Sequence, residues 1–146
     1  MILQDILTAK GTHVFTIHPD ATLDHVAHDM VKHNVGALVV CTRECPGGER
    51  LAGIVTERDL LRVWAAGQSD LAAVKVHTVM TTKLITATPE SPVEDVMGLM
   101  TDHRIRHLPV LAEGRLVGIV SIGDVVKAQH DRLAMENRFM RSFIVS

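Results

Sequence analysis

Apolar residues fall along this chain in two alternating rhythms. Leu23, Val26, Ala27 and Met30 stand at i, i+3, i+4 and i+7, one stripe of an amphipathic helix, and Val93, Val96, Met97 and Met100 repeat the spacing. Short apolar runs follow each stripe. Leu38-Val-Val40 and Gly53-Ile-Val55 have the character of strands buried on both faces. Read through, the pattern predicts strand 14–17, helix 23–33, strands 37–41 and 51–55 and helix 57–66. It then predicts strand 84–87, helix 93–102, strands 108–111 and 115–120 and a helix from 123. Pro19 and Pro89 close the first strand of each set, because proline has no N–H to give a sheet ladder.

The second set repeats the first. A shift of 70 carries Thr16 onto Thr86, Pro19 onto Pro89, Val26 onto Val96, Met30 onto Met100, His33 onto His103, Leu38 onto Leu108 and Val40 onto Val110. Further on the shift is 65, and Leu51-Ala-Gly-Ile-Val-Thr-Glu-Arg-Asp59 matches Leu116-Val-Gly-Ile-Val-Ser-Ile-Gly-Asp124. The difference is a longer loop in the first copy, 42–50, with Pro46, Gly47 and Gly48, at a hairpin tip where insertions are best tolerated. A copy of roughly 60 residues is marginal alone, whereas two copies facing each other bury both apolar faces.

The expected fold class is therefore α+β: two tandem β-α-β-β-α motifs related by pseudo-two-fold symmetry. Its expected divisions are an N-terminal segment 1–12, motif one 13–68, a linker 69–82, motif two 83–130 and a C-terminal helix extension 131–146. The first segment reads as a short helix ended by a turn at Gly11. The last carries Leu133, Phe139, Met140 and Phe143, an apolar set expected to pack against the start of the chain or a second subunit.

Composition narrows the function. Of 146 residues, 47% are hydrophobic and only 3% aromatic, and the net charge is −2. That balance disfavours a protein built to coat nucleic acid, and the absence of tyrosine leaves no aromatic platform for stacking bases. No apolar window approaches the ~18 residues of a membrane span. Residues 1–9 lack the basic start and apolar core of a secretory signal. With two cysteines, Cys41 expected buried and Cys45 exposed, the chain reads as cytoplasmic and held by its core. His25 and His28 sit three apart beside Asp24 and Asp29, but off the apolar stripe, so surface histidines fit them better than a metal site. No catalytic constellation emerges: no Gly-x-Ser-x-Gly elbow, no His-Glu-x-x-His, no phosphate loop.

The doubled pattern resembles tandem cystathionine-β-synthase (CBS) domains, the pair often called a Bateman module. The resemblance rests on the Pro19 and Pro89 strand ends, on Val35-Gly-Ala-Leu-Val-Val40 and Ile105-Arg-His-Leu-Pro-Val110, and on Gly53-Ile-Val-Thr-Glu-Arg-Asp59 and Gly118-Ile-Val-Ser-Ile-Gly-Asp124. It covers about residues 12–130, leaving nothing for a catalytic domain. It implies a non-enzymatic, stand-alone regulatory module with no catalytic cofactor, and a cleft for an adenine nucleotide: AMP, ADP, ATP, NAD(H) or S-adenosylmethionine. It also implies a homodimer and a regulated partner protein, without membrane or nucleic acid.

Specific residues carry that expectation. Thr56-x-x-Asp59 and Ser121-x-x-Asp124 each follow a strand and open a helix. A carboxylate there accepts both hydroxyls of a ribose, and the helix start suits phosphate. The same spacing also makes a capping box that needs no ligand. The family places basic residues over phosphates where Arg104, Arg106 and His107 stand, and Arg58 lies inside the first motif. Copy one has Asn34, Gly36 and Ala37 at those three places and copy two has Gly123 at that of Arg58, so the half-sites are unequal. Adenine is expected to be read by backbone at Thr16, Ile17 and His18 and at Thr86, Ala87 and Thr88, between walls such as Val39 and Val110. Two rivals stand beside this: a nucleotide-independent dimerisation scaffold, in which both boxes are only caps, and an enzyme, disfavoured by the missing catalytic set.

Overall fold

The computed structural model describes residues 1–45 and 48–145. Pro46 and Gly47 of the expected loop, and the side chain of Cys45, lie outside the described residues.

Each repeat forms around its helical stripe. Helix α1 spans Leu3–Lys10, strand β1 Thr16–Ile17, helix α2 Leu23–His33, strands β2 and β3 Ala37–Cys45 and Gly48–Thr56, and helix α3 Glu57–Ala65. After two short 3-10 turns come helix α4 (Val93–His103), strands β4 (His107–Ala112) and β5 (Arg115–Ser121) and helix α5 (Ile122–Val145). Strand β1 pairs parallel with β2, which pairs antiparallel with β3, while β4 and β5 form an antiparallel pair. Helices α2 and α4 end identically. Val35 N–H reaches the Met30 carbonyl and Ile105 N–H that of Met100, a Schellman closure that sets Asn34 and Arg104 at φ 53°. The α+β class and its doubled motif hold.

Three expectations change. Strands β2 and β3 run on through most of the expected loop, as far as Cys45 and from Gly48. The predicted strand 84–87 is reduced to a single parallel bridge, Ala87 to Val110. In the first repeat Val39 donates its N–H to the Phe15 carbonyl. The corresponding donor in the second is Pro109, which has none, so the ladder stops after one rung. Third, α5 packs only in part. Its inner half contributes Val125 to the core and Arg132 to a 3.9 Å ion pair with Glu94, whereas Leu133, Met135, Phe139, Met140 and Phe143 are exposed.

The two cores exchange segments. The first gathers Ile17, Leu23, Val26, Met30, Leu38, Val40 and Val55 around Val76 from between the repeats. The second gathers Val93, Val96, Met100, Leu108, Val110, Val120 and Val125 around Leu3, Ile6 and Leu7 of α1. The two visiting segments dock alike. Val76 N–H donates to the Ala21 carbonyl and His77 N–H to that of Pro19, while Leu3 N–H donates to Ser91 and Gln4 N–H to Pro89. This is a third register of the repeat, at a shift of 73, matching Leu3 with Val76 and Leu7 with Met80. Glycine makes both dockings possible: a Cβ on Gly53 would lie 2.7 Å from the Thr81 carbonyl oxygen, and one on Gly118 2.6 Å from Leu7 Cδ2.

Candidate functional site

Both strand-to-helix junctions place an aspartate at the third position of the helix, because β3 and β5 run into α3 and α5 without an intervening loop. In the first repeat Asp59 Oδ2 accepts the Thr56 N–H at 2.9 Å and the Thr56 hydroxyl at 3.2 Å. Asp59 is 7% exposed, the one buried charged residue among those described, and Arg62 Nη1 lies 4.0 Å from its Oδ1. In the second repeat Asp124 Oδ2 accepts the Ser121 N–H at 2.8 Å, and the Ser121 hydroxyl accepts the Asp124 N–H at 3.2 Å. Both boxes therefore work as helix caps. The capping bonds fall on Oδ2 of each carboxylate, and Oδ1 is the second acceptor available to a diol.

Lys10 was not foreseen. From the last position of α1 its ammonium lies 2.6 Å from Asp124 Oδ2 and 2.9 Å from the Ile119 carbonyl oxygen. Partial burial pushes the Asp124 carboxyl up, but the Lys10 hydrogen bond and charge together with Ser121 outweigh it and hold the group below the ordinary value. At a shift of 70 Lys10 has no partner in the repeat; the register of 73 pairs it with Lys83 and would have singled it out.

Between the repeats lies His107, at the start of β4, where burial pushes its pKa below 6.5. The carboxylates of Glu57 and Asp124 oppose this, and the charges of Lys10 and Arg106 reinforce it. Burial thus works against the charged form of His107, which the sequence reading places with Arg104 and Arg106 as a phosphate partner. Gly36 leaves room for the meeting: a Cβ there would stand 2.9 Å from Glu57 Oε1 and 3.5 Å from the His107 ring. Of the expected cations, Arg58, Arg104 and Arg106 are exposed, and the Arg106 carbonyl accepts the Ile122 N–H at 2.8 Å.

The two segments expected to border adenine differ in their exposure and in their backbone partners. Thr16 is half-buried, Ile17 is buried, and both pair with β2. The exposed His18 accepts the Asp20 N–H on its ring. Ala87 is buried with both main-chain groups engaged, its N–H by Pro109 and its carbonyl by Leu111. Thr86 is exposed, and the Thr88 N–H goes to the Ser91 hydroxyl. His25 and His28 each turn to an aspartate of their own helix, Asp29 at 3.4 Å and Asp24 at 3.7 Å. Among the described residues no three His, Cys, Asp or Glu side chains converge as metal ligands, and no helix is long and apolar enough to cross a membrane.

Two repeats that exchange core segments, each with a capped aspartate at its strand-to-helix junction, define a tandem-repeat module. The chain belongs to the CBS-domain family, whose model matches residues 4–66 and 76–131. It is 45% identical over 133 residues to the CBS domain-containing protein CBSX3, mitochondrial, of Arabidopsis thaliana, covering 86% of this chain and 63% of that relative's length. The crystal structure of the CBS-domain protein ATU1752 from Agrobacterium tumefaciens superposes with a TM-score of 0.82 at 37% identity, over 88% of this chain and 92% of that one. The CBS domain pair of protein MJ0100, solved with 5′-methylthioadenosine and S-adenosyl-L-methionine, gives a TM-score of 0.77 at 26% identity, over 90% and 98% of the two chains.

Proposed function

We propose that this chain is a regulatory module that holds an adenosine-containing ligand between its repeats, and that occupancy alters their relative pose for a partner protein to read. The observation that carries this is the duplicated junction aspartate, above all Asp59. A helix cap needs no burial, yet this carboxylate is turned inward and held by Thr56. Asp59 and Asp124 take ribose hydroxyls, Thr56 and Ser121 orient them, and the backbones at Thr16–His18 and around Thr86 and Thr88 border the base. Arg58, Arg104 and Arg106 provide positive charge for a ligand with phosphates, such as AMP, ATP or NAD(H). A ligand without phosphate suits His107 equally, since burial works against its charge, and the MJ0100 pair supports an adenosine core as the shared element. Pose changes only as far as the ligand binds one pose better than the other.

Calorimetric titration of ligand-stripped protein with AMP, ATP, NAD, NADH and S-adenosylmethionine tests this. Saturable binding of at least one is expected. Asp59→Ala or Asp124→Ala should weaken it by about 10- to 100-fold, the loss of hydrogen bonds to a charged acceptor. Unchanged affinity in both variants would sink the ribose assignment. The scaffold reading is favoured by the exposed apolar length of α5; it predicts a homodimer that forms equally well with none of these ligands bound.

A further inference from the structure

We infer that Lys10 is a displaceable lock on the second-repeat site: its ammonium occupies the Asp124 carboxylate, and a ribose that clamps there must move it, which couples the site to the end of α1. This rests on the assignment of Asp124 as a ribose clamp.

The lock is built from a fixed base and a movable tip. Leu3 and Leu7 are 0% and 2% exposed in the second core, so the backbone of α1 is held; Gly11, at φ 95°, ends the helix directly after Lys10. From that end the flexible side chain spans to Asp124 Oδ2 at 2.6 Å and the Ile119 carbonyl at 2.9 Å. Oδ2 already holds the Ser121 N–H at 2.8 Å. A bidentate clamp on a 2′,3′-diol needs both carboxylate oxygens, and one of them carries two donors here. Lysine suits a removable closure, being a compact charge on a flexible four-carbon stem that exchanges its partner for water readily.

The first repeat shows the contrast. Ile54 corresponds to Ile119, and its carbonyl accepts the Thr81 N–H at 2.9 Å while its own N–H donates back to Thr81 at 3.0 Å. One position is thus closed by a two-bond backbone bridge in the first repeat and by a side-chain ammonium in the second. Asp59 Oδ2 also carries two donors, but both come from Thr56 of its own cap, and the cation beside it among the described residues is Arg62, 4.0 Å from Oδ1 on the same helix. The two half-sites therefore differ in how they open as well as in their cations. Coupling is reciprocal: whatever factor Lys10 subtracts from ligand affinity, the ligand subtracts from the hold of Lys10 on Asp124.

Titration of wild type, Lys10→Met and Lys10→Arg with adenosine, AMP and S-adenosylmethionine reads the lock, with adenosine as the phosphate-free probe. Lys10→Met should bind adenosine about tenfold more tightly than wild type, within the usual span of such couplings, and Lys10→Arg should stay close to wild type. Equal or weaker adenosine binding by Lys10→Met overturns the lock and leaves the ribose assignment standing. Failure of wild type and variant alike to bind any of the three probes overturns the ribose assignment and the lock with it. A second measurement needs no variant: acetic anhydride labelling of wild type, followed at Lys10 by mass spectrometry. Saturating adenosine should speed acetylation of Lys10, and an unchanged or slower rate overturns the lock.

Discussion

At the scale of single residues, environment decided roles that residue type left open. His107 stands next to the cations Arg104 and Arg106 in the sequence, yet burial between the repeats works against the charged form of its ring, opposed by Glu57 and Asp124. Its folded pKa lies below the unfolded value of 6.5, so the stability it contributes is present above pH 6.5 and is lost as pH falls towards the folded pKa. Urea denaturation at pH 7.5 and pH 5.5 checks this: wild type should lose more stability between the two than His107→Gln does. Asp124 has the same sense at lower pH, its contribution full above 3.8 and lost as acidification passes the depressed folded value. Arg104 occupies the left-handed region where the first repeat has Asn34. That conformation costs a bulky side chain about 1 kcal/mol, so Arg104→Gly should raise the urea midpoint.

At the scale of elements, the apolar periodicity located α2, α4 and the cores of β2 to β5, because each is amphipathic or buried in its own right. Strand 84–87 shrinks to one bridge for a reason the sequence carries in Pro109. Pro109 stands where Val39 donates to Phe15, and a parallel ladder cannot continue past a missing N–H. The glycines of β3 and β5 make a sharper prediction. A methyl at Gly53 meets a backbone carbonyl of Thr81, which cannot yield, whereas one at Gly118 meets the end of a leucine side chain, which can rotate. Gly53→Ala should therefore cost about 2 kcal/mol or more in chemical denaturation and Gly118→Ala distinctly less. Leu7→Ala empties part of the second core and is costly by itself, but combined with Gly118→Ala the loss should be smaller than the sum of the two single losses, whereas with Gly53→Ala the two should simply add.

At the scale of the whole molecule, α5 poses the open surface. Val126, Leu133 and Met140 lie seven apart along it and are 55–61% exposed, a spacing that brings apolar residues onto one line of a helix pair. Phe139 and Phe143 pack edge to face at 4.9 Å beside that line. The expected homodimer would cover this face with the same face of a second copy. Leu133→Glu with Met140→Glu should then convert the dimer to monomer in sedimentation equilibrium while leaving the thermal transition of the fold in place. A wild type that is monomeric at high micromolar concentration would refute that use of α5.

The sequence alone determined what repeats itself: the doubled motif, the helical stripes, the two junction aspartates and hence the family, all of which are read from local periodicity and from laying the chain on itself at shifts of 70 and 65. Tertiary structure alone decided what meets across the chain. Lys10 reaches Asp124 across 114 positions. Glu57 meets His107 because the repeats face each other, and α1 completes the core of the second repeat rather than the first. Local periodicity records which face of an element is buried but not which partner buries it. Charge and ligand chemistry depend on that partner.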